Sequence, residues 1–257
     1  MDPQSGVVSR ARLADPRHEA GVRLRRVARG AVTPYYDEGG MVIYHGDCRL
    51  FPAVTADLLV TDPPYGIGEA RKNHLSRGKP FGSRGSVTRQ QKAFAKDYGV
   101  AAWDDAPPAQ WLLGWLRDVT RYQIIWGGNY FGLPPSSCWL VWDKDNGASD
   151  FADCELAWTN LPGAVRRLVH RWNGMLQQTM GEAKEERWHP TQKPVPVMQW
   201  AIRLAPADCG IIFDPFMGSG TTLVAAKNLG RRAIGIEIEE RYCEIAAKRL
   251  RQEVLAL

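Results

Sequence analysis

The sequence predicts an α/β fold with one doubly wound mixed sheet, in which helices cover both faces. Apolar runs at residues 58–60, 211–213 and 233–236 are each followed within two positions by a carboxylate. Segments with apolar residues at helical spacing separate these runs. In such sheets, ligands bind beyond the carboxyl ends of the strands. The pattern therefore predicts a binding site at one edge of the sheet.

The remaining elements alternate along the chain as a doubly wound sheet requires. Pro107 and Pro108 are predicted to begin a helix in which apolar residues recur at helical spacing. Further strands are predicted at residues 41–44, 123–126, 139–142 and 154–159, and further helices at residues 196–205, 222–229 and 239–254. We expect one domain over residues 34–257, preceded by a flexible basic tail at residues 1–33.

The composition is that of a globular protein with a sizeable core, because 44% of its 257 residues are apolar. No apolar run approaches the roughly 18 residues of a membrane span. The five cysteines contain no C-x-x-C pair, so neither a zinc site nor a disulfide framework is indicated and no metal is expected. No signal-peptide core lies near Met1. We expect a reducing, cytoplasmic location and no membrane partner.

A proline motif, Asp62-Pro63-Pro64-Tyr65, follows the first of these apolar runs. A carboxylate that accepts hydrogen bonds, a rigid pair of prolines and an aromatic ring suit the binding of a planar base that carries an amino group. Proline also ends strands, so the motif alone fits a simple strand stop equally well. A second motif downstream favours the functional interpretation.

That second motif is a glycine loop, residues 214–222, which runs from Asp214 through Gly218 and Gly220 to Thr222. The glycines allow a sharp turn close to a ligand, and Thr221 or Thr222 is predicted to cap the next helix. The loop lacks the lysine of a phosphate-binding loop and the third glycine of the dinucleotide fingerprint. Glu237, at the end of the following strand, is placed as a ribose-binding acid would be.

Together these motifs resemble the amino-directed DNA methyltransferases, which methylate adenine N6 or cytosine N4 with S-adenosylmethionine. The proline motif precedes the glycine loop, which resembles the permuted β class. Residues 46–48 and 189–194 also match, and the resemblance covers about residues 34 to 255. It implies a seven-stranded sheet with one antiparallel strand.

The resemblance also implies a role for each motif. Asp62 and the Pro63 carbonyl would accept hydrogen bonds from the target amine, with Pro64 completing the motif and Tyr65 stacking on an extruded base. Asp47 would contact the adenine end of the cofactor and Glu237 its ribose. The other expected cofactor contacts are Cys48, Asp214, Phe216, Gly218, Gly220 and Thr221, with Thr191 and Lys193 holding the methionine carboxylate.

Two basic regions are predicted to contact double-stranded DNA. An insertion at residues 66–102 carries eight Lys or Arg against two acids, including Arg71, Lys72, Arg77, Lys79, Arg84 and Arg89. A solvated surface loop is the alternative interpretation of this charge. A small target-recognition region at residues 160–188 offers Arg166, Arg167 and Arg171.

The target base is predicted to be adenine, because the resemblance associates an initial aspartate with adenine enzymes. Methylation of cytosine N4 is the alternative, and a noncatalytic DNA-binding protein is the alternative from another class. Site-specific enzymes of this kind act alone or beside a restriction nuclease. A homodimer and a cognate nuclease are therefore further expected partners.

Overall fold

The computed structural model describes residues 33–51, 54–68, 104–146, 152–173, 176–179, 184–189 and 191–252. The predicted tail, apart from residue 33, and residues 69–102 of the predicted basic insertion lie outside them. The strands are β1 (Tyr36–Glu38), β2 (Met41–His45), β3 (Ala56–Thr61), β4 (Thr120–Trp126), β5 (Trp139–Asp143), β6 (Cys154–Thr159), β7 (Arg166–Val169), β8 (Trp172–Asn173), β9 (Leu176–Gln177), β10 (Ile211–Asp214) and β11 (Arg232–Glu237). The helices are α1 (Gln110–Asp118), α2 (Val195–Leu204), α3 (Thr221–Asn228) and α4 (Glu240–Arg251).

Nine strands of the described residues form one mixed sheet, in the order β1-β2-β11-β10-β3-β4-β6-β5-β7. Strands β2, β11, β10, β3 and β4 are parallel, and β6 is antiparallel to both of its neighbours. In this sheet order, the seven adjacent strands that begin with β2 and end with β5 match the predicted seven-stranded sheet. The prediction was incomplete at both edges, because a turn at Gly39 and Gly40 adds the antiparallel β1, and β7 adds beside β5.

Side chains alternate between two cores because successive residues of a strand point to opposite faces. Leu58, Val60 and Ile124 contribute to the core under α2, α3 and α4. Leu59 and Ile125 contribute to the second core, under α1. Helices therefore cover both faces, and the doubly wound prediction is confirmed.

The antiparallel direction of β6 determines which of its ends lies near the proline motif. Parallel strands β3, β4, β10 and β11 end at one common edge of the sheet, and the motif and the glycine loop follow two of them. Because β6 runs the other way, its first residues lie at that edge. The fold therefore collects polar groups there from strand ends and from one strand beginning.

Candidate active site

A cavity of about 540 Å³ lies at this edge of the sheet and contains residues from both motifs. Most of the predicted catalytic and cofactor-binding residues line it: Asp47, Cys48, Asp62, Pro64, Thr191, Lys193, Asp214, Phe216, Gly218, Thr221 and Glu237. Pro63 is buried, Tyr65 lies behind Asp62, and Gly220 forms the start of α3. We call its two ends the Asp62 side, next to the proline motif, and the Glu237 side, next to the glycine loop.

On the Asp62 side, the carboxylate is held by two neighbours. The Tyr65 hydroxyl donates to Asp62 Oδ1 at 2.6 Å, and Lys193 Nζ lies 2.5 Å from Oδ2. Burial raises the pKa of Asp62 above its ordinary value, and the positive charge of Lys193 opposes that rise. Each carboxylate oxygen can accept a further hydrogen bond. Asp62 can therefore serve as an acceptor toward the cavity while its orientation is fixed.

Lys193 is almost fully buried, with 5% of its side chain exposed, and it joins Asp62 to a second carboxylate. Its ammonium lies 3.0 Å from Glu155 Oε2, and Lys144 lies 2.6 Å from Glu155 Oε1. Burial would raise the pKa of Glu155, but Lys193 and Lys144 together lower it below the ordinary value. Glu155 is not among the residues predicted from the sequence, because only the direction of β6 in the sheet places it at this site.

Tyr65 packs in an aromatic cluster. Its ring stacks on Tyr130 with centroids 4.8 Å apart, and Phe131 meets it edge-on. Gly127 adopts a left-handed backbone with φ of +67°, and a Cβ there would meet the Tyr65 ring at 2.1 Å. Only glycine can supply both this backbone and this close approach. Tyr130 is 49% exposed and so presents an aromatic surface beside the cavity.

Asp214 connects the two motifs. Its carboxylate accepts hydrogen bonds from the Thr61 hydroxyl at 2.8 Å, the Thr222 hydroxyl at 2.5 Å and the Phe216 backbone N–H at 3.1 Å. Burial raises its pKa to about 6, and these donors oppose the rise. The predicted threonine cap is wrong, because Gly220 is the N-cap of α3 without a side-chain bond and Thr222 donates to Asp214 instead.

Glu237 holds the middle of the glycine loop. Its carboxylate accepts hydrogen bonds from the backbone N–H groups of Gly218 at 2.9 Å and Glu239 at 2.8 Å. Burial raises its pKa to about 7. Gly218 has φ of +52°, and a Cβ there would meet nothing closer than a His189 carbon at 3.9 Å. The loop backbone therefore leaves open space beside a carboxylate that lines the cavity.

A buried arginine fixes the rest of the glycine loop. Arg249 of α4 donates to the Ser219 carbonyl at 2.7 Å and to Thr221 Oγ1 at 3.1 Å, and it pairs with Glu185 at 3.2 Å. Gln192 accepts from the Ser219 hydroxyl at 3.2 Å and donates to Glu185 at 2.9 Å. These contacts, absent from the sequence predictions, tie the loop to the segment that precedes α2.

The Glu237 side of the cavity is also lined by residues 46–48 and by His189 and Thr191 of the predicted 189–194 motif. Asp47 caps a short 3-10 turn and forms an ion pair with Arg49, which lowers the pKa of Asp47. His189 packs edge-on against Tyr242 and lies 3.0 Å from Thr191 Oγ1. Burial lowers the pKa of His189 to about 3, so the ring is neutral.

The three predicted arginines of the target-recognition region lie on or just after β7, which is the outermost strand of the sheet beside β5. Arg166 and Arg167 are exposed on β7, and Arg167 pairs with Asp143 at 2.6 Å. Arg171 follows the carboxyl end of β7 and pairs with Asp145. The predicted insertion contacts, Arg71, Lys72, Arg77, Lys79, Arg84 and Arg89, lie outside the described residues.

The part of the chain that the structure describes contains neither a candidate metal centre nor a membrane-spanning helix. No group of three or more His, Cys, Asp or Glu side chains there could hold a metal ion. No helix there is long and apolar enough to cross a membrane.

Proteins with similar sequences are DNA methyltransferases. A family model described as DNA methylase, for N6 and N4 methyltransferases, matches residues 134–248. The chain is related to the amino-directed DNA methyltransferases. The type II methyltransferase M2.DpnII of Streptococcus pneumoniae is 28% identical over 255 residues, covering 86% of this chain and 93% of that protein. M.ScaI of Streptomyces caespitosus is 27% identical, covering 91% and 89%.

Solved methyltransferase structures share the fold. The M1.HpyAVI complex with SAM superposes with a TM-score of 0.52 at 20% identity, covering 82% of this chain and all of that one. The cytosine-N4-specific PvuII DNA methyltransferase superposes with a TM-score of 0.51 at 16% identity, covering 88% and 92%. The predicted methyltransferase fold is thus confirmed, whereas the permuted β class stays a prediction.

Proposed function

We propose that this protein transfers a methyl group from S-adenosylmethionine to the exocyclic N6 of adenine in DNA. The observation that carries the proposal is the single cavity in which Asp62, from the proline motif, faces the same space as the glycine loop and Glu237. One end supplies an acceptor for an amine, and the other supplies a carboxylate and open backbone for a cofactor. The prediction of the permuted class follows from the chain order of these two motifs.

The Glu237 side has the chemistry that S-adenosylmethionine needs. A volume of about 540 Å³ lies within the range of small-molecule sites. Glu237 would accept hydrogen bonds from the ribose hydroxyls, since each of its oxygens now accepts only one N–H. The open backbone at Gly218 and the rings of Phe216 and His189 would bound the rest of the group. Asp214 already accepts hydrogen bonds from three donors on its two oxygens, so we assign it to positioning the glycine loop.

The Asp62 side would act on the target amine. The lone pair of an exocyclic amine is delocalised into the base, so the nitrogen is a weak nucleophile. Asp62 would accept one N–H and the Pro63 carbonyl the other, which favours a tetrahedral nitrogen and stabilises its developing positive charge. S-adenosylmethionine, when bound, would supply a methyl group on a cationic sulfur, so that an N–C bond forms as the S–C bond breaks. The sulfur would leave as the neutral thioether of S-adenosylhomocysteine, and the methylated amine would lose one proton to solvent water.

Stacking would hold the base in this position. A base inside a duplex cannot reach the cavity, so it must be extruded. The aromatic cluster of Tyr65 and Tyr130 lies beside Asp62 and offers the aromatic surface for it.

The initial aspartate of the motif supports adenine over cytosine as the target. The exposed Arg171 and the basic insertion would contact DNA phosphates, and a homodimer and a restriction nuclease remain proposed partners.

The test is to incubate the protein with labelled S-adenosylmethionine and unmethylated DNA, digest the DNA, and identify the modified nucleoside. We expect N6-methyladenine from the wild type and a loss of at least about 1000-fold in Asp62→Ala, because an electrostatic acceptor of the transition state is removed. Cofactor affinity, measured by calorimetry, should change less than about threefold in the variant, because Asp62 lies at the other end of the cavity.

Other results would redirect the proposal. N4-methylcytosine that depends on Asp62 would keep the enzyme and change its target. Binding of DNA and cofactor without any methylation by the wild type would favour the noncatalytic alternative and overturn the proposal.

A further inference from the structure

Lys193 is an almost fully buried cation in the cavity lining, and all three of its N–H donors have acceptors. Its ammonium lies 2.5 Å from Asp62 Oδ2 and 3.0 Å from Glu155 Oε2, and it donates to the Tyr65 hydroxyl oxygen at 3.1 Å. A lysine ammonium has three donors and no acceptor. No donor remains for the methionine carboxylate that the family resemblance assigned to Lys193.

The contacts of Lys193 make one chain of alternating charges. Lys144 lies against Glu155, Glu155 against Lys193, and Lys193 against Asp62. Each inner charge therefore has an opposite charge on both sides. Lys193 is shared between Glu155 and Asp62. It therefore holds Asp62 in place without fully neutralising the negative charge of Asp62.

Rigid neighbours fix the position of Lys193. The indole of the fully buried Trp126 lies under the ammonium, 5.2 Å from it, and the Tyr65 ring lies at 5.6 Å. Glu155 lies on β6, and Lys193 immediately precedes Pro194, the N-cap of α2. A flexible side chain is thus confined to a single location between two strand ends.

We infer that Lys193 is a positioning residue for Asp62, and that Glu155 holds Lys193 in place for this task. This inference rests on the proposed amine methylation. Lys193 fixes one carboxylate oxygen and Tyr65 the other, so that the remaining lone pairs of Asp62 point to one location. Misplacement of such an acceptor by about 1 Å can cost on the order of 100-fold in rate.

The first test is Lys193→Met, which keeps the length of the side chain and removes its charge. We expect kcat to fall about 100-fold with little change in KM for DNA, since the acceptor is misplaced and not the substrate. Cofactor affinity should stay within about threefold of the wild type. Lys248→Met, an exposed lysine on α4, is the matched control and should leave all three quantities unchanged.

The pH profile separates positioning from a general loss of structure. The ionisable groups around Asp62 are Lys193, Glu155, Tyr65, Lys144, Tyr130 and Asp214. Lys193→Met removes the cation that favours the ionised form of Asp62, so the acid limb of kcat should move to higher pH. Glu155→Gln removes a neighbouring negative charge, so the same limb should move to lower pH, with kcat about tenfold lower.

An infrared titration gives a readout that does not need catalysis. The carbonyl stretch of a protonated carboxyl should appear at a higher pH in Lys193→Met than in the wild type. That band should be missing in the double variant Asp62→Asn/Lys193→Met, which assigns it to Asp62. If the wild type methylates nothing, the proposed function fails, while this band still decides whether Lys193 controls Asp62.

Three results would overturn the inference. The first is an infrared band of protonated Asp62 that appears at the same pH in the wild type and in Lys193→Met. The second is a Lys193→Met variant that methylates at the wild-type rate. The third is a variant whose cofactor affinity falls tenfold or more, which would return Lys193 to the methionine carboxylate.

Discussion

On the Asp62 side of the cavity, the carboxylates of Asp62 and Glu155 are paired with lysines at 2.5 to 3.0 Å. On the Glu237 side, Asp214 and Glu237 instead accept hydrogen bonds from hydroxyl and backbone N–H groups. Burial raises the pKa of Asp214 to about 6 and that of Glu237 to about 7, whereas two lysines together lower the pKa of Glu155, which burial alone would raise, to about 2.

The difference shows that one cavity can hold two kinds of carboxylate. On the Asp62 side, burial raises the pKa of Asp62, and the ion pair with Lys193 opposes that rise and fixes the carboxylate in place. The carboxylate expected to bind the ribose is held by backbone groups and changes its protonation near neutral pH. Chemistry and cofactor binding should therefore respond separately to mutation and to pH.

The strongest way to separate the two sides uses one glycine on each. Gly127→Ala puts a Cβ into the Tyr65 ring, and Gly220→Ala puts one 2.6 Å from Ala246 Cβ. Both glycines have left-handed backbones, so both changes should destabilise the fold by about 1–3 kcal/mol. We expect Gly127→Ala to lower the methylation rate about 100-fold with cofactor affinity retained. Gly220→Ala should instead weaken cofactor binding at least tenfold, as calorimetry would show.

Ala246→Gly provides the control for this pair. It removes the atom that the new Cβ at position 220 would meet, so it should restore part of the cofactor affinity lost in Gly220→Ala. It should not rescue Gly127→Ala. Loss of both functions in both single variants would mean that the two sides do not act separately.

A pH titration of cofactor binding should show the next largest effect. Ionised Glu237 accepts hydrogen bonds through both oxygens, whereas protonation converts one of them into a donor, and the pKa of Glu237 is about 7. Affinity should be constant above that pH and should fall below it, by up to about tenfold per pH unit. Calorimetry from pH 6 to pH 8 measures this slope, and binding near neutral pH should release a proton.

Glu237→Gln should bind the cofactor more weakly at pH 8 and show almost no slope between pH 6 and pH 8. A wild-type affinity that does not change over this range would contradict the assignment of Glu237 to the ribose hydroxyls.

The smallest effect is expected outside the cavity, at Arg171. This exposed residue follows the carboxyl end of β7, at the edge of the sheet where Asp62 lies, whereas Arg166 begins the same strand. Arg171→Gln should weaken DNA binding a few-fold and lower the salt slope by about 1, since one phosphate contact is lost. Arg166→Gln should change the DNA affinity and its salt slope less than Arg171→Gln does. Equal effects of the two in a salt titration of DNA affinity would contradict this orientation on DNA.

Strand ends were the part of the site that could be predicted from the sequence. An apolar run followed by a carboxylate is a local signal, and Asp62, Asp214 and Glu237 all carry it. The position of α3 could also be predicted from neighbouring residues. Its threonine cap could not, because Thr222 donates to Asp214, eight residues away. A pattern of neighbouring residues cannot show which acceptor a hydroxyl will choose in the fold.

Glu155 and the contacts of Lys193 could not be predicted in the same way. The strand from Cys154 to Thr159 was predicted, but its direction in the sheet depends on β4 and β5. That direction decides whether Glu155 lies at the Asp62 edge or at the opposite one. The ion pairs of Lys193 with Asp62 and Glu155 join three distant parts of the chain, and only the assembled sheet brings them together.

The pairing of β3 with β10 has a consequence for how the protein is made. These central strands are neighbours in space, but about 150 residues separate them, and the Thr61 hydroxyl bonds to Asp214 across that gap. Pairing over such a separation closes a long loop and is slow compared with local folding. During translation, β3, which Asp62 follows, therefore stays unpaired on the β10 side until residues 211–214 have left the ribosome.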